Sequence, residues 1–219
     1  MAAHRWDSLT FEQAQHALYL DFEGQKDKPP VLLGCVRRPG RGTEPWVWQM
    51  VLAPRFAPLA RADGLSRLDL SAAIEWVVRL AEQNDRRLVA WSEHELLVVR
   101  ASCPADLVAR FEARFVNARQ IGVRWAKIHR PDRVLAEHRL ADYLALIDYA
   151  VPPAAGPGRV GETIEILEHA LERDPTGAGL TANQRVRWSE LRSHNRHDCA
   201  GMRAVCLRAT ADLETAVLG

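Results

Sequence analysis

Short apolar runs predict three strands in the first quarter of the chain. The segment 18–23 is apolar apart from two acidic residues, and 31–36 and 46–52 are apolar throughout most of their length. Residues typical of turns separate the runs, at 26–30 and at 39–42. Three strands joined by short turns predict an antiparallel meander.

Helical spacing begins after the meander. A loop rich in Pro and Arg is predicted at 54–67, and apolar residues at helical intervals predict a helix over 70–84. The segment 87–91 is typical of a fourth strand, and a second helical stripe runs from Pro104 to Phe115. The order βββαβα is the opening of a ribonuclease H-like fold, an α/β fold whose mixed central sheet is flanked by helices.

The second half of the chain is predicted to be mainly helical. Helices are expected at 139–149 and 162–172, separated by the Pro- and Gly-rich loop 151–158. The segment 181–184, Thr-Ala-Asn-Gln, fits a capping box, so a helix should start there. A separate last helix is expected from about Ser193 almost to the end of the chain.

Composition narrows the class of protein without naming a function. The 219 residues, 47% hydrophobic and 26% charged, suit one α/β domain over 1–219. A formal net charge of +1 gives no global basic field, so any nucleic-acid binding must come from local patches. The four cysteines form no C-x-x-C pair, which favours a reduced, cytoplasmic protein without structural zinc. No run approaches the length of a membrane span or of a signal-peptide core, so we expect no membrane partner.

Two carboxylates interrupt the first predicted strand, at Asp21 and Glu23. Because successive side chains of a strand point to opposite faces, both emerge on the face opposite Leu20 and Phe22. Adjacent anions repel, and a divalent metal ion between them is the simplest compensation. The alternative is a solvated surface pair, since acidic residues two apart are common in a chain with 28 of them.

Three further polar positions extend this pattern. Glu95 comes soon after the fourth strand, in the first turn of the next helix, where acids are also favoured for electrostatic reasons alone. His194 and Asp198 are four residues apart and therefore share one face of the last helix. Such a pair is usually solvated, so the order of all the motifs carries more weight than any one of them.

In that order, the motifs resemble those of the DEDD superfamily of 3′–5′ exonucleases. The segments 19–23, 91–96 and 188–199 look most like the YprB-type ribonuclease H-like family, whose members often have Glu as the acid of the second motif. DEDD enzymes with a catalytic His usually place it five residues before the last Asp, whereas the spacing of four found here belongs to the Tyr subtype. Some relatives carry Asp where this chain has Asn117, to which we assign no catalytic role. The resemblance implies a catalytic set made of four metal ligands, Asp21, Glu23, Glu95 and Asp198, and of His194, which would orient or deprotonate the attacking water.

The resemblance further implies hydrolysis of phosphodiester bonds with two divalent ions, Mg²⁺ or Mn²⁺, which prefer oxygen ligands. The expected partner is DNA or RNA, with a single-stranded 3′ end. Arg192 and Arg196, among many basic residues around the last motif, are predicted to contact phosphates, and Trp91 to stack on a base. The alternatives are a solvated helix face for the arginines and a core position for Trp91.

Two other functions fit the same residues. An endonuclease on this fold would use the same acids, because the acids alone do not fix a preference for chain ends. A catalytically silent nucleic-acid-binding or interaction domain would keep the fold without the reaction. The sequence leaves open the oligomeric state and the choice between DNA and RNA, which depends on contacts to a 2′-hydroxyl.

Overall fold

A computed structural model of the chain describes residues 8–37, 46–151 and 159–218. The predicted turn at 39–42 and nearly all of the predicted loop 151–158 lie outside the described residues. The described part contains a mixed sheet of six strands and helices on both of its faces. The predicted α/β class and mixed sheet are therefore confirmed.

The sheet is built around the predicted meander. β1 pairs antiparallel with β2, and β2 with β3, whereas β5 lies parallel to β1 on its other side and β6 lies parallel to β5. The spatial order is β4-β3-β2-β1-β5-β6. The strands are β1 (Leu18–Glu23), β2 (Leu32–Arg37), β3 (Trp46–Val51), β4 (Ser66–Arg67), β5 (Leu88–Ala90) and β6 (Phe115–Asn117).

Helices cover both faces of the sheet. In the described residues they are α1 (Phe11–His16), α2 (Ala57–Ala62), α3 (Leu70–Gln83), α4 (His94–Ser102), α5 (Ala105–Glu112), α6 (Ala118–His129), α7 (Leu140–Leu146), α8 (Val160–Arg173) and α9 (Ala182–Leu218). The alternation of β1 sorts its side chains between two cores. Leu18, Leu20 and Phe22 pack with α3, whereas Tyr19 joins the cluster formed with α6 and α9.

The predicted loop at 54–67 is wrong, because the segment contains a single 3₁₀ turn at Pro54–Phe56 followed by α2 and β4. Proline suits the first turn of a helix, since its missing N–H would have no partner there. Phe56 and Leu59 are buried in a cluster with α8. Burial of these apolar side chains favours regular structure despite a composition typical of loops.

The predicted helical stripe from Pro104 to Phe115 is correct only as far as Glu112, where α5 ends. Phe115 instead begins β6 and pairs with Leu88. Its ring still stacks on Phe111, with ring centroids 5.8 Å apart. A spacing of four residues is also typical of one face of a helix, so these two aromatic side chains wrongly predicted a longer helix.

The two helices predicted after residue 181 are one. The capping box is confirmed, because the Thr181 amide donates to the Gln184 side chain and the Gln184 amide to the Thr181 hydroxyl. From there α9 continues for 37 residues, about 55 Å at the helical rise. No proline interrupts it, and it packs against β1, β2, α1, α6, α7 and α8.

None of the described helices combines the length and the apolar character that crossing a membrane requires.

Close approach between β2 and α9 gives a test of this packing. A Cβ added at Gly34 would lie 2.3 Å from the Asn195 side-chain oxygen, so Gly34→Ala should destabilise the protein by about 1–3 kcal/mol through overpacking. Gly161→Ala in α8 is the matched control, because a Cβ there meets nothing within 4 Å and alanine is the better helix former. Urea unfolding measures both. Equal stabilities of the two variants would contradict the described contact.

Candidate active site

Four acidic side chains come together where α9 crosses the sheet. Asp21 and Glu23 project from β1 toward this helix, as their contacts with Asn195 and His194 show. Asp198 lies one turn after His194, and Glu95 lies in the first turn of α4. Tyr19 of β1 pairs in parallel with Val89, so β5 ends one residue later, beside the middle of β1, and from there the chain continues toward α4. We call Asp21, Glu23, Glu95 and Asp198 the acidic cluster.

The acidic cluster is electrostatically strained. Burial is the first cause that raises the pKa of Asp21 well above its usual range, followed by the charges of Glu23, Asp198 and Glu95. Burial also raises the pKa of Glu23 to about 8, with Asp198 adding to the shift and a hydrogen bond with Asp21 opposing it. Asp21 and Glu23 therefore both lie within electrostatic range of Asp198 and Glu95.

The pKa values of the other two carboxyls are raised as well. Glu95 is only 6% exposed, and this burial raises its pKa to about 7, against hydrogen bonds from the backbone and from the Ser92 hydroxyl. Burial likewise raises the pKa of Asp198, while the nearby His194 opposes that shift. A cluster of this kind holds protons near neutral pH unless a cation compensates the charges.

Asn195 fixes the position of Asp21. Its side-chain N–H group donates to the Asp21 carboxylate at 2.9 Å and to the Asp21 carbonyl at 3.1 Å. Its side-chain oxygen accepts from Gln49 Nε2 at 3.0 Å, and Gln49 also donates to the Arg192 carbonyl at 2.7 Å. Asn195 is fully buried above Gly34, so a continuous chain of hydrogen bonds ties β3, α9 and β1 together.

His194 lies beside two of the acids. Its Nε2 is 3.5 Å from Asp198 Oδ2 and 3.9 Å from Glu23 Oε1, and its side chain is 17% exposed. Glu23 Oε1 is buried and has no hydrogen-bond partner among the residues that the structure describes. An unpartnered carboxylate oxygen in a buried acidic cluster can accept either a proton or a cation.

Within residues 8–37, 46–151 and 159–218, no three or more His, Cys, Asp or Glu side chains are arranged to hold a metal ion. The predicted pair of Mg²⁺ or Mn²⁺ ions therefore stays a prediction, as does the catalytic role of each acid.

The three residues predicted to bind substrate differ in their surroundings. Trp91 packs edge-on against Tyr143, and its indole N–H donates to the His138 carbonyl at 3.1 Å. Arg192 forms an ion pair with Asp63 and donates from Nε to the Gln49 side chain at 3.2 Å. Arg196, by contrast, is exposed. Their roles toward a substrate stay predictions.

Sequence reasoning missed Asn195 and Gln49, and it assigned no role to Asn117. A weak signal existed for Gln49, the single polar residue between apolar neighbours in the third predicted strand. Asn117 is 1% exposed, pairs with Ala90 at the end of β6 and has no hydrogen-bond partner for either side-chain atom among the described residues.

Comparison of the chain with protein-family models, with curated proteins and with solved structures gave no match in any of the three. The candidate site is therefore interpreted from its own geometry and chemistry.

The raised pKa values of the acidic cluster predict how the stability of the protein depends on pH. Folded-state pKa values of about 7 for Glu95 and about 8 for Glu23 lie above the usual 4.5. Below pH 4.5 both states are protonated; as pH rises toward 8, the unfolded chain loses protons that the folded chain retains, so stability falls. The melting temperature of the metal-free protein should decrease accordingly.

Glu95→Gln should weaken this decrease. Since a tenfold change in proton affinity corresponds to about 1.4 kcal/mol, the variant should recover on the order of 3 kcal/mol at pH 8.5 and little at pH 5. Glu93→Gln, an exposed change in the adjacent turn, is the control and should follow the wild type. A wild-type stability that rises from pH 5 to 8.5 would contradict the strain.

Proposed function

We propose that this protein is a divalent-metal-dependent nuclease of the DEDD type, which hydrolyses phosphodiester bonds of single-stranded DNA or RNA from the 3′ end. The observation that carries the proposal is the acidic cluster itself. Four carboxyls up to 177 positions apart in sequence meet in one partly buried site, with pKa values raised by burial. Burying four acids is costly, and a reaction that needs a cation explains why they are there.

The topology supports a ribonuclease H-like interpretation of the fold. An antiparallel β1–β2–β3 meander, followed by α3 and then by β5 parallel to β1, gives the order expected for such a fold. In this arrangement the acids come from the central strand, from the start of α4 and from α9.

The donor set suits a hard divalent cation. All four candidate ligands, Asp21, Glu23, Glu95 and Asp198, offer oxygen atoms, and in the described part of the chain Glu23 Oε1 has no hydrogen-bond partner. Two bound Mg²⁺ or Mn²⁺ ions would supply charge stabilisation for the attacking and leaving oxygens of a phosphodiester. The residues fit this group chemically, and the carboxyls must change their present hydrogen bonds and lose their protons to bind it.

His194 is suited to proton transfer. It lies within 4 Å of both Glu23 and Asp198, and it is partly exposed, so water can reach it. Imidazole side chains commonly accept and release protons in general acid–base catalysis. We assign it to orient the attacking water and take its proton, while Asn195 holds Asp21 in place.

Activity measurements on variants distinguish a metal ligand, Asp198, from a general base, His194. Asp198→Asn should abolish hydrolysis because it removes a charged ligand, whereas His194→Ala should lose about 10²–10⁴-fold, the usual contribution of proton transfer. Glu190→Gln, an exposed change on the same helix, should keep full activity. The assay follows a 5′-labelled single strand with Mn²⁺.

The products of this assay separate the candidate functions. Stepwise shortening of the free strand, with resistance of a strand blocked at its 3′ end, would agree with the exonuclease. Internal cuts in the blocked strand would instead favour an endonuclease. Inactivity of the wild type on both DNA and RNA would favour a silent nucleic-acid-binding domain.

Metal should also stabilise the fold. Because a ligand that binds only the folded state raises its stability by mass action, Mn²⁺ should raise the melting temperature of the wild type. Asp21→Asn should remove most of that rise, whereas Asp106→Asn, a change in the first turn of α5, should keep it. An equal rise in wild type and Asp21→Asn would show that Mn²⁺ binds elsewhere.

A further inference from the structure

A second feature lies next to the acidic cluster, at the edge of the sheet. A cavity of about 450 Å³ is lined by side chains from β3, α3 and α9 and by the turn before β4. Its volume is in the range of sites that hold small molecules or single groups of larger ligands. We call it the edge cavity. Its walls include Trp48, Gln49, Leu65, Trp76, Arg192 and Arg196.

Two indoles form an aromatic part of the edge cavity. Trp48 and Trp76 pack edge to face, with ring centroids 4.8 Å apart, and both are partly exposed. A large flat side chain at a partly open cavity suits the flat face of a base, because stacking on an aromatic ring tolerates any base. The same indoles would contact any apolar group, so the charge of the cavity decides between ligands.

The charge of the edge cavity is positive. Arg192 is already paired with Asp63, so its charge is largely compensated. Arg196, one turn further along α9, is exposed and forms no ion pair or hydrogen bond with the described residues. An uncompensated guanidinium that lines the same cavity as two aromatic rings is suited to a phosphate attached to a base.

Hydrogen bonds connect the edge cavity to the acidic cluster. Gln49 lines the cavity and donates to Asn195, and Asn195 donates to Asp21. Two hydrogen bonds therefore separate the cavity wall from a candidate catalytic carboxylate. A strand with one phosphate at the acids would place a nearby nucleotide within reach of the cavity.

We propose that the edge cavity binds one nucleotide of a single-stranded nucleic acid, with its base on Trp76 or Trp48 and its phosphate at Arg196. This inference rests on the proposed nuclease function for its ligand, and it adds a site that would select single strands, because a paired base could not enter. It assigns Arg196 a direct contact and Arg192 a positioning role through Gln49 and Asp63.

Binding in the absence of cleavage tests the proposal. The parent protein carries Asp198→Asn, and its affinity for a 5′-fluorescein-labelled oligothymidylate is measured by anisotropy. Trp76→Ala should weaken binding roughly 5- to 100-fold, the effect of losing one stacked base, and Trp76→Phe should restore most of it. Arg196→Ala should weaken binding and lower the salt dependence by about one phosphate, whereas Arg124→Ala, an exposed change on α6, should do neither.

An abasic position moved along the oligonucleotide makes the test specific. At one position the abasic site should weaken binding of the oligonucleotide to the parent protein. The same abasic site should have little effect on binding to Trp76→Ala, because that variant has already lost the stacking contact. The inference is overturned if abasic scans of parent and variant coincide, if neither Trp76→Ala nor Arg196→Ala changes the affinity, or if the oligonucleotide does not bind.

Cleavage by the wild type keeps the two proposals separate. The edge-cavity proposal is overturned if the wild type cleaves and if Trp76→Ala and Arg196→Ala, made in the wild-type background, have the same KM and kcat as the wild type. The nuclease proposal would then still stand. Position-specific binding through Trp76 without cleavage by the wild type would support the cavity and overturn the nuclease.

Discussion

The cost of holding four carboxyls in one partly buried site is the constraint on which the rest of the structure depends. Burial raises the pKa of Asp21, Glu23, Glu95 and Asp198, and the charges of neighbouring acids add to the shifts of Asp21 and Glu23. A fold that holds these groups together must obtain its stability elsewhere. Much of that stability lies in the two cores on either side of β1, where its apolar and aromatic side chains are almost fully buried. The same strand thus carries both the apolar packing and the strain.

Helix α9 holds the strained side chains in place. It contributes Asp198, His194 and Asn195 within two turns, and it approaches β2 so closely that only glycine fits at position 34. The hydrogen bonds from Gln49 to Asn195 and on to Asp21 then fix one acid by neutral donors rather than by a cation. An amide donor can hold a carboxyl without cancelling its charge, which leaves the acid available to a positive ligand.

Local patterns in the sequence predicted part of this structure. Alternation within β1 placed Asp21 and Glu23 on one face, and the spacing of four placed His194 beside Asp198, because both periods are properties of the backbone. The continuity of α9 was missed because Ser193 and Asn195 have weak helix propensity, and packing overrode that preference. The contact between Gln49 and Asn195 spans 146 positions, and no local pattern encodes it. The pKa shifts likewise depend on burial by distant elements.

The proposed function requires that the acidic cluster attracts a divalent cation, which can be tested by crystallography. Crystals of the protein soaked in Mn²⁺ can be measured at a wavelength where manganese scatters anomalously. If the cluster is a metal site, anomalous density should lie between Asp21 and Asp198, in contact with carboxylate oxygens of the acidic cluster. An empty cluster in crystals that hold Mn²⁺ at other carboxylates would contradict the proposed function.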